Sequence, residues 1–105
     1  MNKLTDFEIN EKIISAFTDI VGINSEINIH TEIETLMLDS LDEVELIMHL
    51  ENKFNISIND DYAETMLQNV VFIKDIKKIL KEKFKIYDIK EDRKLKIISV
   101  IESSN

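Results

Sequence analysis

Three stretches of the chain place apolar residues three and four positions apart, the spacing of one face of an α-helix, and no proline occurs anywhere to interrupt them. In the first, Ile9, Ile13, Phe17 and Ile20 recur with Ala16 and Val21 beside them. Thr5 and Glu8 stand ahead of this run in capping-box register, and Leu4 and Ile9 can staple the same turn. Gly22, the single glycine, suits the left-handed residue that closes a helix, so the spacing predicts a helix over Asp6–Val21. The second run follows Asp39, whose carboxylate can cap, and carries Asp42 and Glu43 at the positive end of the helix dipole. It predicts a helix over Ser40–Phe54. The third, Ile73, Ile76, Leu80 and Phe84 with Ile79, has its lysines toward the C-terminal end and predicts a helix over 71–84. Between the last two, Asn59 can cap a short helix over 60–66.

Helices of this kind must bury their apolar faces against one another, which makes the expected fold all-α: a small four-helix bundle with a short third helix. The first two helices are joined by a long loop, 23–38, with no period of its own. Ile27, Ile29, Ile33, Leu36 and Leu38 make that loop too apolar to hang free, so it should be pinned to the core; loops this long in small domains are more often functional than idle. With 105 residues the chain has room for one domain, expected over 1–84. Residues 85–105 form an extension outside the bundle pattern, in which 95–101 fits helix or strand equally. Because four helices are complete by Phe84, this extension is expected to be dispensable for the bundle.

The second helix carries more apolar surface than a bundle needs. At about 100° per residue, Leu46, Ile47, Leu50 and Phe54 fill one sector while Leu41, Val44 and Met48 fill the next, a band about 220° wide where a core-facing stripe takes about 100°. The spare half is Leu41, Val44 and Met48. Either the long loop covers it or it is a docking surface for another protein.

Charge divides the chain. Between residues 32 and 64 ten acids face one base, Lys53, whereas between 74 and 96 ten bases face five acids, within an overall net charge of −8. The acidic middle repels nucleic acid and attracts basic partners, although either run can also be a solvated face. Lack of cysteine removes disulfides, thiolate metal sites and a nucleophilic thiol, so any thiol chemistry needs an imported thiol. The apolar runs are far shorter than the ~20 residues of a membrane span, and residues 1–12 do not read as a signal peptide. No membrane association and a cytoplasmic setting are therefore expected.

Motifs of catalysis and metal binding are missing. His30 and His49 lie far apart with no ligand spacing around them, and the i, i+4 spacing lets His49 pair with Glu45 in a minor local contact. Asn55, Ser57 and Asn59 alternate like calcium-loop ligands, but Asp60 and Met66 occupy the positions that need Gly and Glu. One glycine cannot build a phosphate-binding loop. No metal is expected. An enzyme built on Asp39, Ser40 and His49 fails on geometry, because His49 lies nine residues along the helix and about 80° or more around it.

Ser40 has the one suggestive setting. It sits where the long loop meets a helix, after the capping Asp39, beside the spare apolar stripe and among Asp42, Glu43 and Glu45. On spacing alone it is most simply a first-turn helix residue. A serine in such a place, with nothing near it to act as a base, is better suited to being modified than to catalysing.

The run Asp39-Ser40-Leu41-Asp42, followed by Val44-Glu45-Leu46 and the segment from Met48 to Phe54, resembles the acyl carrier proteins, in which an Asp-Ser-Leu motif bears a prosthetic arm. The resemblance covers about residues 6–84 and includes Ala63-Glu64 in the third helix and Ile73-Lys74-Asp75-Ile76 in the fourth. It implies 4′-phosphopantetheine joined covalently to Ser40 through a phosphodiester, donated by coenzyme A through a phosphopantetheinyl transferase, with Asp39 and Leu41 flanking the attachment. It also implies a carrier and not an enzyme, shuttling thioester-bound acyl groups among acyl-loading and acyl-processing enzymes of fatty-acid, polyketide or related biosynthesis. Their basic patches would dock on Asp42, Glu43, Val44, Glu45, Met48 and Glu51. The sequence departs from the family where Met37 and Leu38 replace the common Gly and small residue, and where Asn59 replaces a frequent Pro. An aminoacyl or peptidyl carrier of a specialised pathway, and an unmodified acidic interaction module, fit the same residues.

Overall fold

The computed structural model describes residues 3–23 and 26–88. It holds four α-helices: α1 (Asp6–Val21), α2 (Ser40–Phe54), α3 (Asp60–Gln68) and α4 (Ile73–Lys83). A 3-10 turn at Ile33–Leu36 lies in the long loop, and two short strands, β1 (Lys3–Leu4) and β2 (Tyr87–Asp88), pair in parallel. The all-α bundle expected from periodicity is what forms, with α1 and α2 on the expected bounds. None of the described helices is long and apolar enough to cross a membrane.

Local chemistry accounts for most helix ends. Thr5 and Glu8 close the capping box at α1, with the Glu8 N–H donating to Thr5 Oγ1 at 3.0 Å and the Thr5 N–H to Glu8 Oε1 at 3.1 Å. Gly22 ends that helix with φ 99° and ψ 153°. This is not the left-handed helical conformation expected of it but an extended one with positive φ, open to almost no residue but glycine. Asn59 caps α3 by accepting from the Tyr62 N–H at 2.8 Å, and α3 runs two residues beyond its expected end at 66.

The core is assembled from one face of each helix: Ile9, Ile13 and Phe17 of α1, Leu46, Leu50 and Phe54 of α2, Met66 of α3, and Ile73, Ile76 and Leu80 of α4 are all buried. At ~1.5–3 kcal/mol for burying each large apolar side chain, this set dominates the stability of the bundle. Among the described residues, charged and polar side chains also tie the helices at the rim. Lys77 of α4 reaches Asp6 of α1, and Asp19 of α1 lies 3.1 Å from Lys53 and 3.5 Å from His49 of α2. His49 thus faces Asp19 and not Glu45, the partner that helical spacing allows.

The long loop is pinned, as its apolar residues suggested, and the structure shows by what. Ile27, Ile33, Leu36 and Leu38 pack part-buried on the core. The Ile33 N–H donates to the Val71 carbonyl at 2.9 Å, while the Ile73 and Lys74 N–H groups donate to the Thr31 and Ile29 carbonyls at 3.0 and 2.8 Å. Those last two donors belong to the first turn of α4 and would otherwise lack partners. Residues 71 and 72 are therefore drawn into an extended bridge with the loop, Glu32 opposite Phe72, and α4 begins at Ile73 and not at 71.

Packing continues past the expected end of the bundle. Ile86 is 1% exposed in the core, and the β2 segment beyond it pairs with β1 near the start of the chain. The helix-or-strand alternative for 95–101 lies outside the described residues.

Candidate functional site

Ser40 is the first residue of α2 and is exposed. Its position rests on a reciprocal pair of carboxylates: the Asp42 N–H donates to Asp39 Oδ1 at 2.8 Å, and the Asp39 N–H donates to Asp42 Oδ2 at 3.1 Å. The pair acts as a capping box with Asp in place of the usual Ser or Thr and of the usual Glu. Asp39 was legible as a cap from sequence. The return bond from Asp42 was not, because Asp42 reads equally well as a simple dipole-complementing acid.

Leu41, Val44 and Met48 stand 66%, 57% and 55% exposed, so the spare half of the helix band faces solvent and the loop does not cover it. Glu45 is exposed beside them, whereas Asp42 and Glu43 are half-buried. Glu51 also has a structural part, since its Oε2 accepts the Ile58 N–H at 2.8 Å and ties the loop after α2 back to the helix.

A groove of about 410 Å³ opens beside Ser40 between α2 and α3. Val44, Ile47 and Met48 line it from α2 and Ala63 and Leu67 from α3, with Glu43, Glu51, Asp60 and Glu64 also on its walls. Sequence reading missed the α3 contribution. In the sequence Asp60 breaks a calcium-loop pattern and Glu64 belongs to the family resemblance, and nothing local says that they share a groove with Ser40. An apolar-floored groove edged by carboxylates can shelter an uncharged chain and repel anions.

The backbone at position 37 suits a glycine and does not account for the methionine found there. Met37 has φ 53° and ψ 47°, the left-handed conformation that glycine adopts without strain. The groups around Ser40 do not form a hydrolytic site, because His49 faces Asp19 and sits on the far stretch of α2. Among the described residues, no cluster of three or more His, Cys, Asp or Glu could hold a metal ion.

The family model described as "Phosphopantetheine attachment site" matches residues 11–70. The chain is 41% identical over 64 residues to the acyl carrier protein of Chlorobium phaeobacteroides, covering 58% of this chain and 81% of that protein. It is 46% identical over 63 residues to the acyl carrier protein of Campylobacter hominis, covering 60% and 68%, and 40% identical over 62 residues to that of Afipia carboxidovorans, covering 57% and 78%. An exposed serine at the start of a helix, beside an open groove, fits phosphopantetheine as a covalent group. With more than half its length matched by the attachment-site model, the chain belongs to the acyl carrier protein family, whose phosphopantetheine-bearing members carry and do not catalyse.

Proposed function

We propose that Ser40 is the attachment residue and that the chain carries acyl groups between enzymes of fatty-acid, polyketide or related biosynthesis. The observation that carries this reading is the exposed Ser40 at the capped start of α2, inside the matched segment and next to the groove. In the loading reaction a phosphopantetheinyl transferase forms the bond from Ser40 Oγ to a phosphorus of the coenzyme A pyrophosphate. The bond to the departing adenosine bisphosphate breaks, and the serine proton passes to a base on the transferase. Once attached, the group supplies the thiol that this cysteine-free chain lacks, on which acyl groups are held as thioesters.

The chain's own residues do the rest. Asp39 and Asp42 hold the helix start rigid under the arm, and the N-terminal dipole of α2 favours the phosphodiester charge. Leu41, Val44 and Met48 offer an apolar contact to enzymes in turn, with Asp42, Glu43, Glu45 and Glu51 steering basic surfaces toward it. Steering raises encounter rates without tight binding, which suits a shuttle. A cytoplasmic setting belongs to the same proposal.

Incubation of the full chain with coenzyme A, Mg²⁺ and a broad-specificity transferase should add one phosphopantetheine, located by peptide mass at Ser40. Ser40→Ala should abolish the addition while circular dichroism stays helical. Addition at another serine, or none to the folded wild type, would overturn the reading. Intact mass of the protein from its native host then identifies the cargo and separates acyl from aminoacyl use.

A further inference from the structure

Met37 closes the 3-10 turn before Ser40, its N–H donating to the Glu34 carbonyl at 3.1 Å. Among the described residues it shares positive φ with only two other non-glycine residues, Asn55 and Lys85. Asn55 closes α2 and is a residue type that tolerates this conformation. Met37 is not: its Cβ is strained there, glycine would close the turn at lower cost, and the side chain recovers nothing by packing because it is 86% exposed. Neither the turn nor the core requires a large apolar side chain at this position.

Its surroundings point to a partner. Met37, Leu38 and Val70 line a depression of about 640 Å³ whose charged walls are Glu34, Asp39 and Glu43, with no base among them. Glu43 lines both this depression and the groove beside Ser40, so the two adjoin near the attachment serine. An apolar tip among carboxylates complements an enzyme surface with an apolar recess and a cationic rim. Enzymes that work at the end of the prosthetic arm can act at a distance from the serine. The transferase forms a bond to Ser40 Oγ itself, so its surface has to come close to the exposed residues just before the serine.

We propose that Met37 is a recognition residue for the phosphopantetheinyl transferase, extending the docking surface from α2 onto the preceding loop. This rests on Ser40 being the attachment site. The test measures modification kinetics of the full-length chain with coenzyme A, Mg²⁺ and a transferase, alongside thermal unfolding. Met37→Gly should lower kcat/KM about tenfold, mainly through KM, while its Tm stays at or above that of the wild type. Met37→Glu should weaken modification further, because it removes the apolar tip and sets a carboxylate against an apolar recess. Met37→Leu should keep kcat/KM within about twofold of wild type. Unaltered kinetics in Met37→Gly, with wild type modified normally, would overturn this inference alone. A fall in kcat/KM matched by a fall in Tm would overturn it too, by assigning Met37 a structural role. Failure of the wild type to be modified at Ser40 would overturn the attachment reading, and this inference with it.

Discussion

Helices α2 and α4 join the same core and differ in what they leave outside it. Helix α4 buries Ile73, Ile76 and Leu80 and turns exposed Lys74, Lys78 and Lys83 outward. Helix α2 buries Leu46, Leu50 and Phe54 in the same way, yet keeps a second apolar stripe, Leu41, Val44 and Met48, in solvent beside exposed Glu45. A helix in a small bundle needs one stripe to fold, and α4 stops there. The second stripe on α2 lies outside the core, which is where the proposed docking surface needs it. The two helices also differ in charge, α2 carrying mostly acids and α4 mostly lysines, so the proposed docking would favour basic surfaces on the α2 side.

Core substitutions should break this comparison most severely if it is wrong. Leu46→Ala in α2 and Leu80→Ala in α4, both fully buried, should each cost about 2–5 kcal/mol by denaturant unfolding, whereas Val44→Ala should cost about 0.5 kcal/mol or less. Equal losses at Leu46 and Val44 would erase the distinction between the two stripes of α2. Ile86→Ala should fall in the same class, about 2–5 kcal/mol. A chain cut after Lys85 should therefore be markedly less stable, against the dispensable extension that the helix pattern suggests.

The helix starts give the next effect in size. Asp39→Ala removes the acceptor of the Asp42 N–H at the start of α2 while leaving the bond from the Asp39 N–H to Asp42 Oδ2, and should cost about 1 kcal/mol in the same denaturant measurement. Met48→Glu comes below that on stability, within about 0.5 kcal/mol, while slowing transfer to or modification by a partner severalfold. Loss of stability without loss of transfer would show the stripe to be structural.

The smallest effect is a pH dependence at α4, which has no capping side chain at Phe72. Asp75 substitutes, its Oδ2 accepting the Phe72 N–H at 2.8 Å and the Val71 N–H at 3.0 Å. These two bonds, Phe72 first, with help from the charges of Lys74 and Lys78, hold its carboxyl below the ordinary value of 3.8 despite some desolvation. A carboxyl lowered on folding contributes stability above its unfolded pKa and loses it as pH falls through the folded one. Urea unfolding of wild type and Asp75→Asn should therefore differ above about pH 4 and converge below it. A gap that persists unchanged at low pH would show that the charge plays no part in the cap.

What could be read without a structure was what lies within a few residues along the chain. Side-chain caps at Thr5, Asp39 and Asn59 reach N–H groups three positions on, and apolar spacing marks the buried face, so α1 and α2 fall on their expected bounds. The Asp-Ser-Leu turn is equally local, which is why Ser40 stood out.

Tertiary structure decided everything that depends on residues distant in sequence. The loop is held by carbonyls of Ile29, Thr31 and Val71, and such backbone groups are the same in every residue and leave no mark in the sequence. That stitching shortens α4 at its start and keeps the loop away from Leu41, Val44 and Met48. Burial of Ile86, the pairing of His49 with Asp19 and the α3 wall of the groove beside Ser40 follow from the same cause. Periodicity marks Leu41, Val44 and Met48 as the spare stripe of α2, but it leaves open whether the long loop covers them, and only the tertiary packing decides that they stay in solvent.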